Sequence, residues 1–449
     1  MVLNSDWQPA KLQEVELSET LPILQATNES GQRYTRAQVL VRLYTIPVGM
    51  VELALPDASL SPDTYAPQIY AQLHEQINHR LRQNGLEEIT ELPSSGIQQV
   101  AEPTVLKERA AFLQNHPPFV SVAIATRDRG DQLHVCLASL VNQAYPNYEI
   151  VLVDNAPSND ETQQLVERHY GHIPFLRYIR EDRPGAAWAR NRAIQEARGE
   201  ILAYTDDDVI VDQHWVTAIA QAFARDEKIG GVSGITLPAE METEAQELFE
   251  QFNTFSIGYE PIVHNIHDQP LDSSLYPFNS MNFAACVNMA YRTAILRELN
   301  GFDPALGPGS LAKSGEDTEL YLRVVMKGYS IAYEPGAIVY HFHRRDYAYL
   351  QRQTYDYGVA FTASGLRFVI HNPQYILHVV KLLPRIIREM FGSSAARKAQ
   401  RKSNFPKELQ RNEMRGWLYG PIAYWRSRGR VRDTIKRFGK IDLDAPVSA

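Results

Sequence analysis

The amino-acid sequence predicts an α/β protein built around an open, mostly parallel sheet flanked by helices. From about residue 118, short apolar runs alternate with stretches of helical periodicity. This alternation favours parallel strands joined by right-handed crossovers. The apolar runs are continuous, as in strands that are buried on both faces. Polar residues directly follow three of the runs, at the sheet edge where such proteins bind ligands.

The central zone, about residues 118–346, carries this alternation. We predict strands at 120–125, 149–153, 175–179 and 201–204, with helices at 133–142, 161–170 and 186–197 between them. The polar strand ends are Thr126-Arg127-Asp128, Asp154-Asn155 and Asp206-Asp207-Asp208. Because parallel strands end at the same edge of a sheet, we expect these side chains to converge.

Two further zones flank the central one. Residues 1–113 are predicted to form a small accessory α/β domain, with two strands in 37–55 around a turn at Pro47-Val48-Gly49 and a helix at 65–83. Pro117 and Pro118 mark its boundary with the central zone, because consecutive prolines cannot continue a helix. Residues 347–449 are predicted to form a helical, basic C-terminal region.

The composition argues against several classes of protein. A net charge of −8 does not suit a nucleic-acid partner. Two cysteines in apolar surroundings, Cys136 and Cys286, predict buried thiols and a reducing cytoplasm. We find neither a signal-peptide pattern nor an apolar run of about 18 residues. The sequence also lacks a G-x-G-x-x-G after a strand and a G-K-[ST] loop, which argues against a dinucleotide enzyme and a P-loop ATPase.

The acidic triplet Asp206-Asp207-Asp208 is the first candidate site. Crowded carboxylates repel one another unless a cation lies among them, and Mg²⁺ binds through one or two carboxylates together with substrate phosphates. At the end of a fourth predicted strand, the triplet therefore predicts a divalent-metal site. The alternative is a solvated acidic turn before the following helix.

The segment Ser314-Gly315-Glu316-Asp317 is the second candidate site, because it precedes a helix-like stretch, residues 318–326. Asp317 could take a proton from an acceptor hydroxyl. Alternatively, Ser314 could be the N-cap of a capping-box variant with Asp317 as its partner. The local sequence leaves both interpretations open.

Histidines and arginines supply further candidates. His341 and His343 share one face of a predicted strand and could bind a metal or be structural. Arg183, Gly185 and Arg190 surround a helix start. An arginine there could bind a diphosphate, or these residues could simply form a surface turn.

Four ordered segments together resemble the family 2 glycosyltransferases, whose fold is called GT-A, a Rossmann-like fold. They contain VSVAIATRDR at 120–129, AYTDDDVIVD at 203–212, VNMAYRTAILRELNGFDPAL at 287–306 and SGEDTELYLR at 314–323, the last running on to HFH at 341–343. The resemblance covers about residues 118–346. It implies an inverting, metal-dependent transfer of sugar from a UDP- or GDP-sugar to a hydroxyl of a sugar or lipid-linked acceptor, with Mn²⁺ or Mg²⁺.

The resemblance also implies a role for each candidate residue. The base would be Asp317, in the Glu316-Asp317 pair. Asp208 would be the direct metal ligand, with Asp206 and His341. Residues implied to hold the nucleoside or the rest of the donor are Thr126, Arg127, Asp128, Asp154, Arg183, Gly185, Arg190, Asp206 and Asp207. Asp128 stands where the family often has Asn, so nucleobase preference is open.

Two other functions remain open from the sequence. A nucleotidyltransferase also uses Mg²⁺ and a parallel sheet, although it does not need Glu316-Asp317 at an acceptor cleft. A non-catalytic binding module of glycosyltransferase type would not need the metal residues and the base together.

The basic tail is a separate feature. Residues 381–440 contain 17 Lys or Arg and 4 Asp or Glu, interspersed with aromatic and aliphatic residues from Trp417 to Trp425. Such a segment predicts either peripheral attachment to an anionic membrane or a helical hairpin packed on the central domain. We therefore expect a cytoplasmic protein, with contact at the inner face of a membrane as one alternative.

Overall fold

The computed structural model describes residues 7–98, 101–252, 256–268, 285–377, 379–382, 384 and 405–445. The N-terminal region contains a three-stranded sheet. In it, β1 (Lys11–Glu16) runs parallel to β3 (Arg36–Leu43), which pairs antiparallel with β4 (Ile46–Ala54). A small second sheet joins β2 (Leu24–Gln25) to β5 (Ser59–Leu60). Helix α1 (Pro62–Gln83) packs on the larger sheet, and α2 (Thr104–Gln114) leads to the central domain.

The predicted turn at Pro47-Val48-Gly49 is wrong. The chain turns at Tyr44 and Thr45, whose φ angles are 54° and 69°, and Pro47 to Gly49 belong to β4. The strand tolerates Pro47 because β4 is an edge strand and its register with β3 shifts next to Pro47. A proline breaks a sheet only where its missing N–H would have been needed.

The central domain has a nine-stranded sheet in the order β10-β14-β11-β13-β9-β6-β7-β8, with β12 paired to β14. Strands β9, β6, β7 and β8 are mutually parallel, while β13 and β10 run antiparallel to their neighbours. The strands are β6 (Val120–Thr126), β7 (Tyr148–Asn155), β8 (Leu176–Glu181), β9 (Ile201–Thr205), β10 (Val209–Val211), β11 (Ile229–Pro238), β12 (Ile262–His264), β13 (Met289–Arg292) and β14 (Ser330–His341).

Helices cover both faces of this sheet. They are α3 (Gly130–Leu140), α4 (Glu161–Tyr170), α5 (Ala186–Glu196), α6 (Trp215–Ala224), α7 (Glu244–Phe252), α8 (Thr293–Glu298) and α9 (Glu316–Met326). Val122 and Ile124 of β6 pack into one core with α3 and α6, while Ala123 packs into the other with α5 and α9. Burial on both faces explains the continuous apolar strands, and the predicted α/β fold class is confirmed.

The described residues of the C-terminal region include two long helices, α10 (Tyr347–His371) and α11 (Lys407–Phe438). A Cβ atom on Gly416 would lie 2.1 Å from the Tyr355 carbonyl oxygen, so the helix backbones touch. Tyr347 contacts Glu408 near the start of both helices, and Thr362 bonds the Trp417 carbonyl further along. The helices therefore run parallel. Residues 385–404 of the basic tail, which the predicted hairpin would include, lie outside the described residues.

None of the helices in the described residues has the length and apolar character needed to cross a bilayer. Both cysteines are free and buried, as expected.

Candidate active site

The carboxyl ends of β6 and β9 open into a cavity of about 900 Å³. Strands β6 and β9 pair in parallel with Ile124 opposite Thr205, which brings Thr126 beside the acidic triplet. The Thr126 hydroxyl donates a 2.7 Å hydrogen bond to Asp207 Oδ2, and Arg129 Nη1 donates a 2.8 Å bond to Asp207 Oδ1. Both Asp207 oxygens are thus held by protein groups.

Asp208 lies next to His341 because β10 pairs antiparallel with β14, with Val209 opposite His341. His341 Nε2 lies 3.2 Å from Asp208 Oδ1. The other oxygen, Oδ2, lies 3.0 Å from Arg129 Nη1 and 3.3 Å from Arg344 Nη2. Asp207 and Asp208 are only 4% and 6% exposed, which argues against a solvated turn at these two positions.

The surrounding cations give the three carboxyl groups different acidities. Burial acts to raise the pKa of Asp208, but the hydrogen bond and charge of His341, with the two arginines, outweigh it and lower the pKa to about 2. Burial raises the pKa of Asp207 to about 6, and Arg129 opposes the rise. Burial also raises the pKa of Asp206, against the attraction of Arg190. Asp208 is therefore the carboxylate that stays ionised most readily.

A divalent cation fits Asp208 and His341. Two ligands at about 2.1 Å from one ion and at right angles to each other lie about 3.0 Å apart, close to the 3.2 Å observed between Oδ1 and Nε2. Asp206 Oδ1 lies 3.3 Å from Arg190 Nη2. Within the described part of the chain, no three acidic, histidine or cysteine side chains close around one point. Phosphate oxygens and water would have to complete the coordination, as is usual for Mg²⁺.

His343 lies behind His341 and outside this pair. Its Nδ1 is 3.0 Å from His341 Nδ1, and its Nε2 is 2.6 Å from Glu250 Oε1 on α7. A partner on the second ring nitrogen fixes the orientation of a histidine. His343 therefore orients His341 towards Asp208.

Asp317 stands at the first turn of α9 and lines the cavity. Its Oδ1 accepts a 2.7 Å bond from the Thr318 N–H, and its Oδ2 accepts a 3.2 Å bond from the Cys286 N–H. The helix is capped by Gly315 at φ 92°, without a side-chain cap. The capping-box interpretation of Ser314 is therefore wrong, and Asp317 is fixed by backbone groups from two segments.

Glu316 has different surroundings from its neighbour. It is 2% exposed and forms an ion pair with Arg190 Nη1. Burial raises the pKa of Glu316, while the Arg190 charge opposes the rise. Because Arg190 also contacts Asp206, it links the start of α9 to the acidic triplet.

Three of the predicted donor residues do not line the cavity, namely Asp128, Asp154 and Arg183. Asp128 Oδ1 accepts a 3.0 Å bond from the Ser158 N–H, which lowers its pKa. Asp154 is fully buried and accepts a 2.7 Å bond from the Tyr178 hydroxyl. Arg183 pairs with Glu181 and donates to two carbonyl groups at the end of α11.

The other predicted donor residues do line the cavity: Thr126, Arg127, Gly185, Arg190, Asp206 and Asp207. Gly185 has a φ of 129°, which a side chain would strain. The Asn155 amide holds this turn, since it donates 2.7 Å to the Arg183 carbonyl and accepts 2.8 Å from the Gly185 N–H.

Three further basic residues, not predicted from the sequence, also line the cavity: Arg129, Arg344 and Lys313. Arg129 follows the quoted T-R-D by one position, and Arg344 follows H-F-H directly. Their adjacency to candidate residues was the available signal. With Asp208 between them, the two arginines give this wall positive charges that suit phosphate groups.

The central domain is similar to proteins of one known family. The family model described as glycosyl transferase family 2 matches residues 121–299. The residues of this segment thus match the family 2 glycosyltransferases. The predicted resemblance is confirmed over residues 121–299, which include the strands that lead to Thr126 and the acidic triplet, whereas the segment at 314–343 lies outside this match.

Among the curated relatives, the glycosyltransferase AglE of Haloferax volcanii is 26% identical over 50% of this chain and 67% of its own length. Glycosyltransferase GlyG of Streptococcus pneumoniae is 30% identical over 23% of this chain and 34% of its own length. The chain therefore spans about two thirds of AglE and about a third of GlyG. A solved structure of the mannosyltransferase PcManGT from Pyrobaculum calidifontis, in complex with GDP-Man and Mn²⁺, is 19% identical and covers 76% of this chain and 84% of its own, with a TM-score of 0.39.

Proposed function

We propose that this protein transfers a sugar from a nucleotide-diphosphate sugar to an acceptor hydroxyl, with inversion and with Mn²⁺ or Mg²⁺. The observation that carries the proposal is the meeting of four segments at one cavity. The end of β6 brings Thr126, the end of β9 brings Asp206 to Asp208, β14 brings His341, and α9 brings Asp317. The carboxylates of Asp206 and Asp208, which suit a cation, thus line the same cavity as the carboxylate of Asp317, which belongs to a different segment.

The donor would bind at the strand ends. Asp208 and His341 would hold the cation, with Asp206 beside them, and the bound cation would neutralise charge on the departing diphosphate. Arg129 and Arg344 would attract the phosphate oxygens that approach Asp208. Thr126 and Arg127, at the same end of the cavity, would contact the nucleoside side of the donor. Asp128 and Asp154, implied by the resemblance, would act there only by supporting the loop and strand.

Asp317 would be the general base. Inversion requires the acceptor oxygen and the leaving group on opposite faces of the sugar, and Asp317 belongs to a different segment from the metal residues. The two backbone N–H groups that hold its oxygens fix the direction of the carboxylate. Glu316 would be a positioning residue, because its ion pair with Arg190 fixes the start of α9.

Replacing Asp317 with Asn tests the base. The amide keeps one acceptor oxygen and loses basicity, so release of nucleoside diphosphate in a panel of nucleotide sugars should fall about 10²–10⁴-fold. Melting temperature and donor affinity should stay near those of the wild type. Asp226→Asn is the matched control, because Asp226 also accepts a backbone N–H, 2.9 Å away, but is exposed and outside the cavity. An active Asp317→Asn enzyme would remove Asp317 from the mechanism.

Replacing Asp208 with Asn tests the cation. Calorimetric titration of Mn²⁺ should show at least about tenfold weaker binding, since a charged ligand is lost. Nucleoside diphosphate release should collapse in the same variant. Wild-type release that persists in excess chelator would contradict the metal dependence, whatever the variant does.

A further inference from the structure

The active-site cavity extends beyond the polar residues into an apolar part. The apolar lining comes mainly from α9, α10 and the segment that follows α10, and it includes Leu322, Leu350, Phe361, Val369, Val379 and Leu382. Lys313 and Asp317 stand in the wall of the same cavity. A volume of about 900 Å³ lies near the upper end for sites that take one small ligand. The cavity thus has room for an apolar group next to the acceptor position.

The apolar part reaches the protein surface beside α11. Pro421 is exposed and also lines the cavity. Its helix carries Leu418, Ile422 and Trp425, which are 81%, 55% and 62% exposed. Their spacing of four and three residues puts them on one helix face. Ile376 and Val380, on the segment that also supplies Val379, are exposed as well. We call Leu418, Ile422 and Trp425 the apolar stripe.

The opposite face of α11 is already used for packing. Trp417, Ala423 and Tyr424 are buried, and the Thr362 hydroxyl donates to the Trp417 carbonyl. Packing on α10 therefore accounts for the inward residues of this helix, and it leaves the apolar stripe unexplained. Three large apolar side chains exposed along one helix face are typical of an interaction surface.

The charge around the apolar stripe indicates what contacts it. Arg411 and Arg415 lie on the same helix face before Leu418, and Arg432 lies on it two turns after Trp425. All three arginines are exposed. A helix that lies flat at a membrane surface has this pattern, with apolar side chains inserted and basic ones at anionic headgroups. An anionic bilayer is thus complementary to this face in both charge and polarity.

We propose that α11 attaches the protein to an anionic membrane surface through the apolar stripe. The cavity would then receive an acceptor carried on a hydrocarbon chain. This inference rests on the proposed function, since it names the acceptor class of the same site. The sugar end of the acceptor would lie near Asp317, and its chain would leave along the apolar lining past Pro421 to the bilayer.

Vesicle sedimentation tests the membrane contact. The full chain should bind mixed phosphatidylcholine and phosphatidylglycerol vesicles at low salt. Serine at all three stripe positions should weaken this binding at least about tenfold, and glutamine at Arg411, Arg415 or Arg432 should weaken it about fivefold for each. The matched control places serine at Ile23, Val135 and Val263, which are also exposed but lie elsewhere, and it should bind like the wild type. Equal binding by the stripe variant, or no binding by the wild type, overturns the proposal.

Two measurements distinguish a failure of the membrane contact from a failure of the proposed function and from misfolding of the variants. Donor hydrolysis without acceptor reports the proposed function, and the stripe variant should retain it. If the wild type hydrolyses no donor, the proposed function itself is overturned. If it hydrolyses a donor but does not bind vesicles, only the membrane contact is overturned. Lipids brominated in their chains should quench Trp425, and Trp425→Phe should keep binding while losing that quenching. Quenching that is unchanged in Trp425→Phe counts against insertion of the stripe.

Dodecyl phosphate, kept below its micelle concentration, tests the apolar part of the cavity, with inorganic phosphate as the comparison. The dodecyl compound should bind at least about tenfold more tightly, and Val379→Asp should remove most of the difference. Equal affinity for the two compounds would overturn the assignment of a hydrocarbon-linked acceptor.

Discussion

Replacing Arg42 with Leu should destabilise the protein and disturb the metal site. Arg42 lies on β3 of the N-terminal domain and is 8% exposed. Its Nη1 lies 2.8 Å from Asp212 Oδ2, and its Nε and Nη2 donate to the Thr45 carbonyl. Asp212 directly follows β10, the strand that begins next to Asp208. The N-terminal region thus holds the far end of the strand that follows the proposed metal ligand.

The magnitude follows from burial. The Asp212 side chain is 9% exposed, and removing one partner of a buried ion pair costs about 3–5 kcal/mol because the other charge stays buried. The second partner, Glu14, is 41% exposed and contributes little. We therefore expect Arg42→Leu to lower the free energy of unfolding by about 3–5 kcal/mol. The affinity for Mn²⁺ should fall as well, since β10 loses its anchor.

Urea unfolding, followed by circular dichroism, measures the stability change. Arg82→Leu is the matched control in the same domain, because Arg82 and Glu88 form an exposed pair worth about 1 kcal/mol or less. In a double-mutant cycle, Asp212→Asn should recover much of the loss caused by Arg42→Leu. A loss below about 1 kcal/mol for Arg42→Leu, or a cycle without coupling, would refute the reasoning.

Burial of His264 lowers its pKa to about 4, below its unfolded value. The neutral ring therefore stabilises the protein above the unfolded pKa, and about 3 kcal/mol should be lost as the pH falls from about 6.5 to about 4. Measured by urea unfolding across this range, the free energy of unfolding should fall less steeply with pH in His264→Gln than in the wild type. An identical pH dependence in the two proteins would exclude the effect. In α11, Gly416→Ala should cost about 1–3 kcal/mol because its Cβ would strike the Tyr355 carbonyl. Gly429→Ala in the same helix meets no atom within 4 Å and should instead stabilise it, by up to about 1 kcal/mol; equal effects in thermal unfolding would contradict the close helix approach.

The strands β6 to β9 and the helices between them could be predicted from the sequence because their signals are local. The helix at 161–170 has the predicted bounds, and the strand at 201–204 differs by one residue. The predicted turn at Pro47 was wrong because an edge position, which only the assembled sheet shows, makes a proline acceptable in a strand. The parallel course of α10 and α11 was missed because helical periodicity does not encode direction.

The candidate site, too, could be predicted from the sequence only in part. The sequence by itself determined that polar residues end the parallel strands, and that these ends therefore meet, because each strand is an apolar run followed by polar residues in the chain. Only the tertiary structure decided that Asp208 faces His341, that Arg190 joins Glu316 to Asp206, and that Arg129 and Arg344 face the acidic triplet. These contacts join residues far apart in the chain, and strand register and burial set them. From the sequence, the Asp208 carboxylate could equally have been solvated, and only the folded surroundings show that it is buried among His341, Arg129 and Arg344.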